Sequence, residues 1–261
     1  MVRIEFLGSG NAFCPPGRLH SLVLIDRNLL VDAPPTLIPQ LRRAELSPAS
    51  IRALLITHWQ ADHLFGFPFP LLDRRYISDR ESEAELSVHL HSGGVQRLSQ
   101  LCELAFPGSL QEMFEERVAF NVQEQGRVSG VEGWMYERFP VCHVPETEPH
   151  GYDLHHESGL RLIHCGDSGP CDEIASRSDE ADVVIIELGL PDHVESPYHF
   201  RPSTLSALAD ACPQTKVLAT HHYESDPSEG GSGSLPQLPD NVIQVSDGMI
   251  FNWNGGGLSR D

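Results

Sequence analysis

The residues best suited to chemistry lie in one six-residue run, His58-Trp59-Gln60-Ala61-Asp62-His63. Two imidazoles and a carboxylate arrive together, directly after Ala53-Leu54-Leu55-Ile56 and Thr57, which read as a buried strand. Neutral imidazole nitrogens and carboxylate oxygens converging from about 2 Å are what a zinc ion requires. In an extended segment, residues two apart point the same way. The spacing therefore predicts that His58 and Gln60 share one face, while Asp62 and His63 turn towards a second point. With 14 histidines in the chain, a polar surface loop could produce such a run by chance, so further ligands must come from elsewhere.

Three residues elsewhere have the right type, and each follows an apolar stretch. His143 follows Phe139-Pro140-Val141-Cys142, Asp167 follows Leu162-Ile163-His164-Cys165-Gly166, and His221 follows Val217-Leu218-Ala219-Thr220. Strand ends on a rigid scaffold commonly carry active-site residues. His222 is adjacent to His221, and neighbours on an extended segment point apart, so it is a poor substitute for a missing ligand. His89 and His91, two apart on a predicted strand, read as ordinary strand residues.

The elements that must position these groups read as follows. Val2–Leu7 is a strand ending in Gly8-Ser9-Gly10-Asn11, a tight turn that does not match a phosphate-binding loop. Ser21–Asp26 and Asn28–Val31 form a hairpin through Asp26-Arg27. Asp32 closes it, and a helix is expected from Ala33 to about Ala44, with Asp32 as a candidate N-cap. Further strands are expected at Leu86–His91, Val118–Val122, Val131–Phe139, Tyr152–His156, Leu160–His164, Glu180–Glu187, Lys216–Ala219 and within 242–252. Helices are expected at Gly94–Leu104, Ser109–Glu116 and Pro202–Ala211. Tyr76–Glu85 reads as a surface loop, and Glu229–Ser234 as a flexible one by composition. No linker or short-period repeat divides the chain, which is read as one domain over residues 1–261.

Composition bounds the function. The chain carries 37 acidic residues against 18 basic ones, a net charge of −19, and Lys216 is its only lysine. A general nucleic-acid binder needs a basic surface that releases phosphate counterions, and this balance speaks against one. The six cysteines form no CxxC pair, so neither a zinc ribbon nor a disulfide framework is expected. No apolar run approaches the ~20 residues of a membrane span, and Met1–Leu7 reads as a strand and not as a signal peptide. The expectation is a cytoplasmic protein that does not engage a membrane.

The run and its distant partners resemble the metallo-β-lactamase superfamily, whose signature is HxHxDH. Gln60 stands where the second histidine belongs. The resemblance spans nearly the full length, because His143, Asp167 and His221 follow in the superfamily's order. It implies an α/β four-layer αββα sandwich of two mixed sheets flanked by helices. It also implies two metal sites: one from His58, the residue at 60 and His143, the other from Asp62, His63 and His221, with Asp167 bridging. An aspartate at the position of Asp32 is thought to orient metal ligands in this family. The amide oxygen of Gln60 is a harder and weaker zinc ligand than imidazole. The first site is thereby impaired, which implies one or two zinc ions, or manganese or iron instead.

Ala181-Asp182-Val183-Val184-Ile185-Ile186-Glu187 and Tyr198-His199-Phe200-Arg201-Pro202-Ser203 resemble the ribonuclease Z group and related phosphodiesterases. In that group a glutamate after a strand orients a histidine that assists the leaving group. Glu187 and His199 match these two positions, while Ile186 replaces the first histidine of the family's HEAT-type motif. The implied activity is hydrolysis of a small or cyclic phosphodiester by metal-bound hydroxide, with Asp62, His199 and Glu187 in catalytic roles. The acidic surface, and the lack of a Gly-Pro-rich arm, speak against transfer RNA as the partner. A small-molecule substrate is expected, and a homodimer is compatible with the chain. The alternatives are a lactone or ester hydrolase, or a weakly active or non-catalytic metal-binding member, to which Gln60 lends support.

Overall fold

The fold is seen in a computed structural model that describes residues 1–82, 84–223 and 236–261. The first sheet begins with β1 (Val2–Gly8), β2 (Leu22–Ile25), β3 (Leu29–Val31), β4 (Ala53–Leu55), β5 (Leu86–His89) and β6 (Val118–Asn121). The second takes β7 (Gln125–Arg127), β8 (Trp134–Pro140), β9 (His150–His156), β10 (Arg161–His164), β11 (Val183–Glu187), β12 (Lys216–Thr220) and β13 (Val242–Gln244). The chain then returns to the first sheet with β14 (Ile250–Trp253) and β15 (Leu258–Arg260). The strand order is β15-β14-β1-β2-β3-β4-β5-β6 in the first sheet, and β13 to β7 in sequence in the second. Both sheets are mixed: β3 through β6 and β10 through β13 run parallel, and the other pairs antiparallel.

The parallel strands are near-continuous apolar runs because both of their faces are covered. Alternation of side chains then divides each run between two cores. In β11, Val183 and Ile185 point into the core between the sheets, while Val184 and Ile186 join the outer core of the second sheet. In β4, Ala53 and Leu55 face the central core and Leu54 the outer one. Helices α1 (Leu37–Arg43), α2 (Ala61–Leu64), α3 (Pro68–Asp73), α4 (Gly94–Ala105) and α5 (Gln111–Glu116) belong to the first half. Leu37, Leu41, Leu71 and Leu98 from these helices pack over the first sheet. Helices α6 (Asp172–Asp179) and α7 (Pro202–Ala211) cover the second through Ile174, Leu205 and Leu208. The result is the four-layer αββα sandwich that the resemblance implied. Among the described residues, no helix is long and apolar enough to cross a membrane.

Three local expectations need correction. The helix expected from Ala33 begins at Leu37, with Thr36 at its cap position. Pro34 and Pro35 keep the preceding residues out of the helical region. Asp32 is therefore not a helix cap; it takes a left-handed backbone, φ 69°, and its carboxylate turns inward. Within the Tyr76–Glu85 stretch, Tyr76–Ser78 belong to a π-type turn over Arg74–Ser78 and not to coil. That turn is anchored by the fully buried Arg74, which donates to Asp79 Oδ2 at 2.6 Å and the Ala84 carbonyl at 2.7 Å. The Glu229–Ser234 loop lies outside the described residues.

Two histidines inside the fold give it a pH dependence. Burial pushes His89 and His150 down to about 4 each. The His89 ring accepts a hydrogen bond from the Ser129 N–H at 3.2 Å, which a neutral Nε2 can do. The unfolded chain protonates both near 6.5, whereas the folded chain resists until about 4. Their contribution to stability is therefore complete above about pH 6.5 and is lost as pH falls towards 4. At 1.36 kcal/mol per unit, each accounts for roughly 3 kcal/mol at most. The urea midpoint of chelator-treated protein should fall steadily between pH 6.5 and 4.5. His89→Gln should flatten that slope. A midpoint independent of pH over this range would contradict the assignment.

Candidate metal centre

The site forms where strand ends from both sheets meet. The chain leaves β4 through Thr57 and His58, passes Gln60 in an extended conformation (φ −106°, ψ 153°), and enters α2, which carries Asp62 and His63. Asp32 follows β3, His143 follows β8, Asp167 follows β10, Glu187 ends β11, and His221 follows β12 with φ 51°. His199 stands three residues before α7. The parallel run of β10, β11 and β12 brings Asp167, Glu187 and His221 to the same edge.

One group of donors consists of Asp62, His63, Asp167 and His221, all buried. His63 Nε2 lies 3.3 Å from Asp62 Oδ2 and 3.5 Å from Asp167 Oδ1. His221 Nε2 lies 3.3 Å from Asp62 Oδ2 and 3.4 Å from Asp167 Oδ2. Ligands about 2.0–2.1 Å from a tetrahedral ion are separated by about 3.3 Å, so these spacings suit a divalent metal. His63 Nε2 is also buried without a hydrogen-bond partner, a state that is costly unless something is bound there. A second group joins His58, His143 and Asp167. The Gln60 carboxamide sits beside it, its terminal atom 3.2 Å from His58 Nε2 and 3.3 Å from His143 Nε2. A third group is Asp167, Glu187 and His199.

An outer ring of hydrogen bonds fixes these imidazoles. His63 Nδ1–H donates to Asp32 Oδ2 at 2.8 Å. The Thr57 backbone N–H and hydroxyl also donate to Asp32, at 2.8 and 2.9 Å. The Thr57 oxygen accepts from His58 Nδ1 at 2.9 Å, and the Tyr198 carbonyl accepts from His143 Nδ1 at 3.0 Å. Ligating histidines usually use their second nitrogen in this way, leaving Nε2 for the metal. Asp32 thus has the orienting position that the resemblance implied.

The charges follow from burial and neighbours. Burial, reinforced by the His63 ring, pushes His58 down to about 3, and burial also lowers His143. For His63 burial acts the same way, but the carboxylates of Asp167, Asp62 and Asp32 outweigh it and hold its pKa well above the ordinary value. Asp62 and Asp167 resist protonation despite their burial, because His63 and His221 face them. Three carboxylates that stabilise a proton here would equally stabilise a cation, which must displace it. Burial and the facing Asp167 charge raise Glu187 well above the usual carboxylate range. Its carboxylate group contacts His199 Nδ1 at 2.9 Å and receives the Ser168 N–H at 2.8 Å.

The structure therefore gathers His58, Gln60, Asp62, His63, His143 and Asp167 with Glu187, His199 and His221 in one cleft. His222 turns away, with its Nε2 3.1 Å from the Val245 carbonyl. His89 and His91 lie outside all three donor groups. Sequence reasoning missed the Tyr198 carbonyl and the Thr57 hydroxyl, and gave no role to Trp59. The Trp59 indole N–H donates to Glu148 Oε2 at 2.5 Å, and its ring fills the space that a side chain at Gly94 would need. This fastens the metal loop to the start of α4. The close Gly94–Trp59 approach leaves a trace in sequence only as an otherwise ordinary glycine.

Comparison with known proteins agrees with this geometry. Residues 27–222 match the family model described as a beta-lactamase superfamily domain. A ribonuclease Z of Pyrobaculum islandicum is 26% identical over 241 residues, covering 84% of this chain and 83% of that protein. Among solved structures, a diphosphatase of the PhnP family aligns with a TM-score of 0.71 at 20% identity, covering 97% of this chain and 98% of the other. The metallo-beta-lactamase fold protein YhfI of Bacillus subtilis aligns with a TM-score of 0.75 at 14% identity, covering 97% and 100%. These likenesses account for the sandwich and the ordered strand-end donors alike: the chain belongs to the beta-lactamase superfamily.

Proposed function

We propose that this protein is a metal-dependent hydrolase of a small or cyclic phosphodiester. Asp62, His63, Asp167 and His221 are the residues that hold its ion. The observation that carries the reading is the His199–Glu187 pair, 2.9 Å apart, placed against Asp167 at the edge of those ligands. A divalent ion bound there would polarise the substrate and lower the pKa of a water.

The chain's own residues supply the rest. Asp32 and Thr57 hold His63 and His58 in the ligating tautomer. Glu187 occupies His199 Nδ1 and so fixes the ring with Nε2 as its free nitrogen. Burial lowers His199, and the charge of a bound phosphodiester acts in the opposite direction, so the ring can carry a proton to the leaving oxygen. The net charge of −19 and the single lysine favour a small substrate over transfer RNA, although the curated relative is named ribonuclease Z. Gln60 favours a second reading, an ester or lactone hydrolase, because a centre with fewer cations attracts an anion less.

Chelator-treated protein, reloaded with zinc or manganese, should be assayed on bis-p-nitrophenyl phosphate, a 2′,3′-cyclic nucleotide, p-nitrophenyl acetate and a lactone. The proposal expects ion-dependent turnover of the phosphodiesters above that of the esters. Turnover of the esters alone would transfer the assignment to the second reading.

A further inference from the structure

The hydrogens around Gln60 can be placed one by one, and they leave a single arrangement without an ion. Asp32 accepts from the Thr57 backbone N–H and from His63, and the Thr57 hydroxyl lies 2.9 Å from Asp32 Oδ2. The hydroxyl has one hydrogen, and a charged carboxylate is its strongest acceptor. Its contact with His58 Nδ1 at 2.9 Å must then be the imidazole N–H donating to the hydroxyl oxygen. The Tyr198 carbonyl can only accept, so His143 Nδ1 also carries its hydrogen. Neutral rings with hydrogen on Nδ1 have a lone pair on Nε2. Both of these lone pairs face the Gln60 carboxamide.

The carboxamide atom assigned as Oε1 lies 3.2 Å from one Nε2 and 3.3 Å from the other. An oxygen there would set three lone pairs against one another. The oxygen and nitrogen of a carboxamide are nearly the same size, so their assignment follows from the partners. The NH2 group has two hydrogens, one for each ring. We infer that Gln60 closes this half of the centre, its NH2 bridging His58 Nε2 and His143 Nε2 where an ion would otherwise sit. The protein then holds a single ion, at Asp62, His63, Asp167 and His221. This inference rests on the metal-site reading proposed above and specifies its stoichiometry. A second ion would have to break both hydrogen bonds to reach the His58 and His143 lone pairs beside Asp167, and Gln60, turned over, would add only a neutral oxygen where an imidazole would bind better.

The test is a zinc titration of chelated protein by calorimetry, with metal analysis after desalting. It is paired with proton–nitrogen spectra of the side-chain amides in wild-type protein and in Gln60→His and Gln60→Glu. Wild type should retain one equivalent and show an exchange-protected carboxamide pair, besides those of Gln40 and Asn241, that both variants lose. Both variants should retain two equivalents, because neither side chain has an NH2 and each offers a better ligand. Two tight equivalents in wild type would overturn the inference, as would variants that stay at one. If wild type bound no zinc at all, the metal-site reading would fail, and the amide spectrum would still decide whether the bridge exists. Should one variant fail to fold, the other still assigns the pair to Gln60.

Discussion

Asp167→Asn should leave a folded chain that has lost its metal. Asp167 takes part in all three donor groups of the cleft, with one oxygen 3.5 Å from His63 Nε2 and the other 3.4 Å from His221 Nε2. An amide keeps the volume but loses the charge that holds a divalent cation. Substitutions only in the outer shell of a metal site cost about 10–100-fold in affinity, so loss of a charged direct ligand should cost at least about 100-fold. The several kcal/mol that an ion contributes to the transition state correspond to a fall in phosphodiester turnover of about 10³-fold or more. Metal content after desalting, turnover and the far-ultraviolet circular dichroism spectrum should be measured together. A variant that keeps both its metal and its turnover would remove Asp167 from the ligand set.

The second large effect is expected at His199. If this ring protonates the leaving oxygen, His199→Ala should reduce turnover by about 10²–10⁴-fold with metal content unchanged. The loss should depend on the leaving group. Departure of p-nitrophenolate needs little protonation and should suffer least, whereas a poor alkoxide should suffer most. Glu187→Gln should move in the same direction by a smaller factor. Its carboxylate contacts His199 Nδ1 at 2.9 Å and so acts through the position of the ring. Equal losses for good and poor leaving groups would make His199 a phosphate-binding residue instead. Loss of metal in His199→Ala would place it among the ligands.

Much of this arrangement was legible in the chain because strands buried on both faces leave an unbroken apolar signature. Val183–Ile186 and Val217–Ala219 announce themselves in this way, and a site residue follows each run, Glu187 directly and His221 after Thr220. Elements whose burial is sparse were not legible. Helix α6 offers a single buried apolar side chain, Ile174, to its core, too little for a periodic pattern. Helices α2 and α3 are short, and prolines and phenylalanines crowd α3 and the turn before it, so the stretch after His63 has no helical rhythm. Pairing between distant strands, such as β1 beside β14, has no local signal at all. Within the site, side chains of ligating type could be found by their position after strands. The parts that orient them could not, because the Tyr198 carbonyl is backbone and Thr57 looks like any strand residue. The meaning of Gln60 was half visible: the departure from histidine shows in the sequence, but the two lone pairs that surround its amide appear only in the fold.

The most direct measurement adds zinc or manganese in small steps to chelated protein while following bis-p-nitrophenyl phosphate turnover. The account predicts no turnover without an ion, a linear rise to one equivalent, and a plateau beyond it. Turnover in ion-free protein, or a rise that continued to two equivalents, would contradict it.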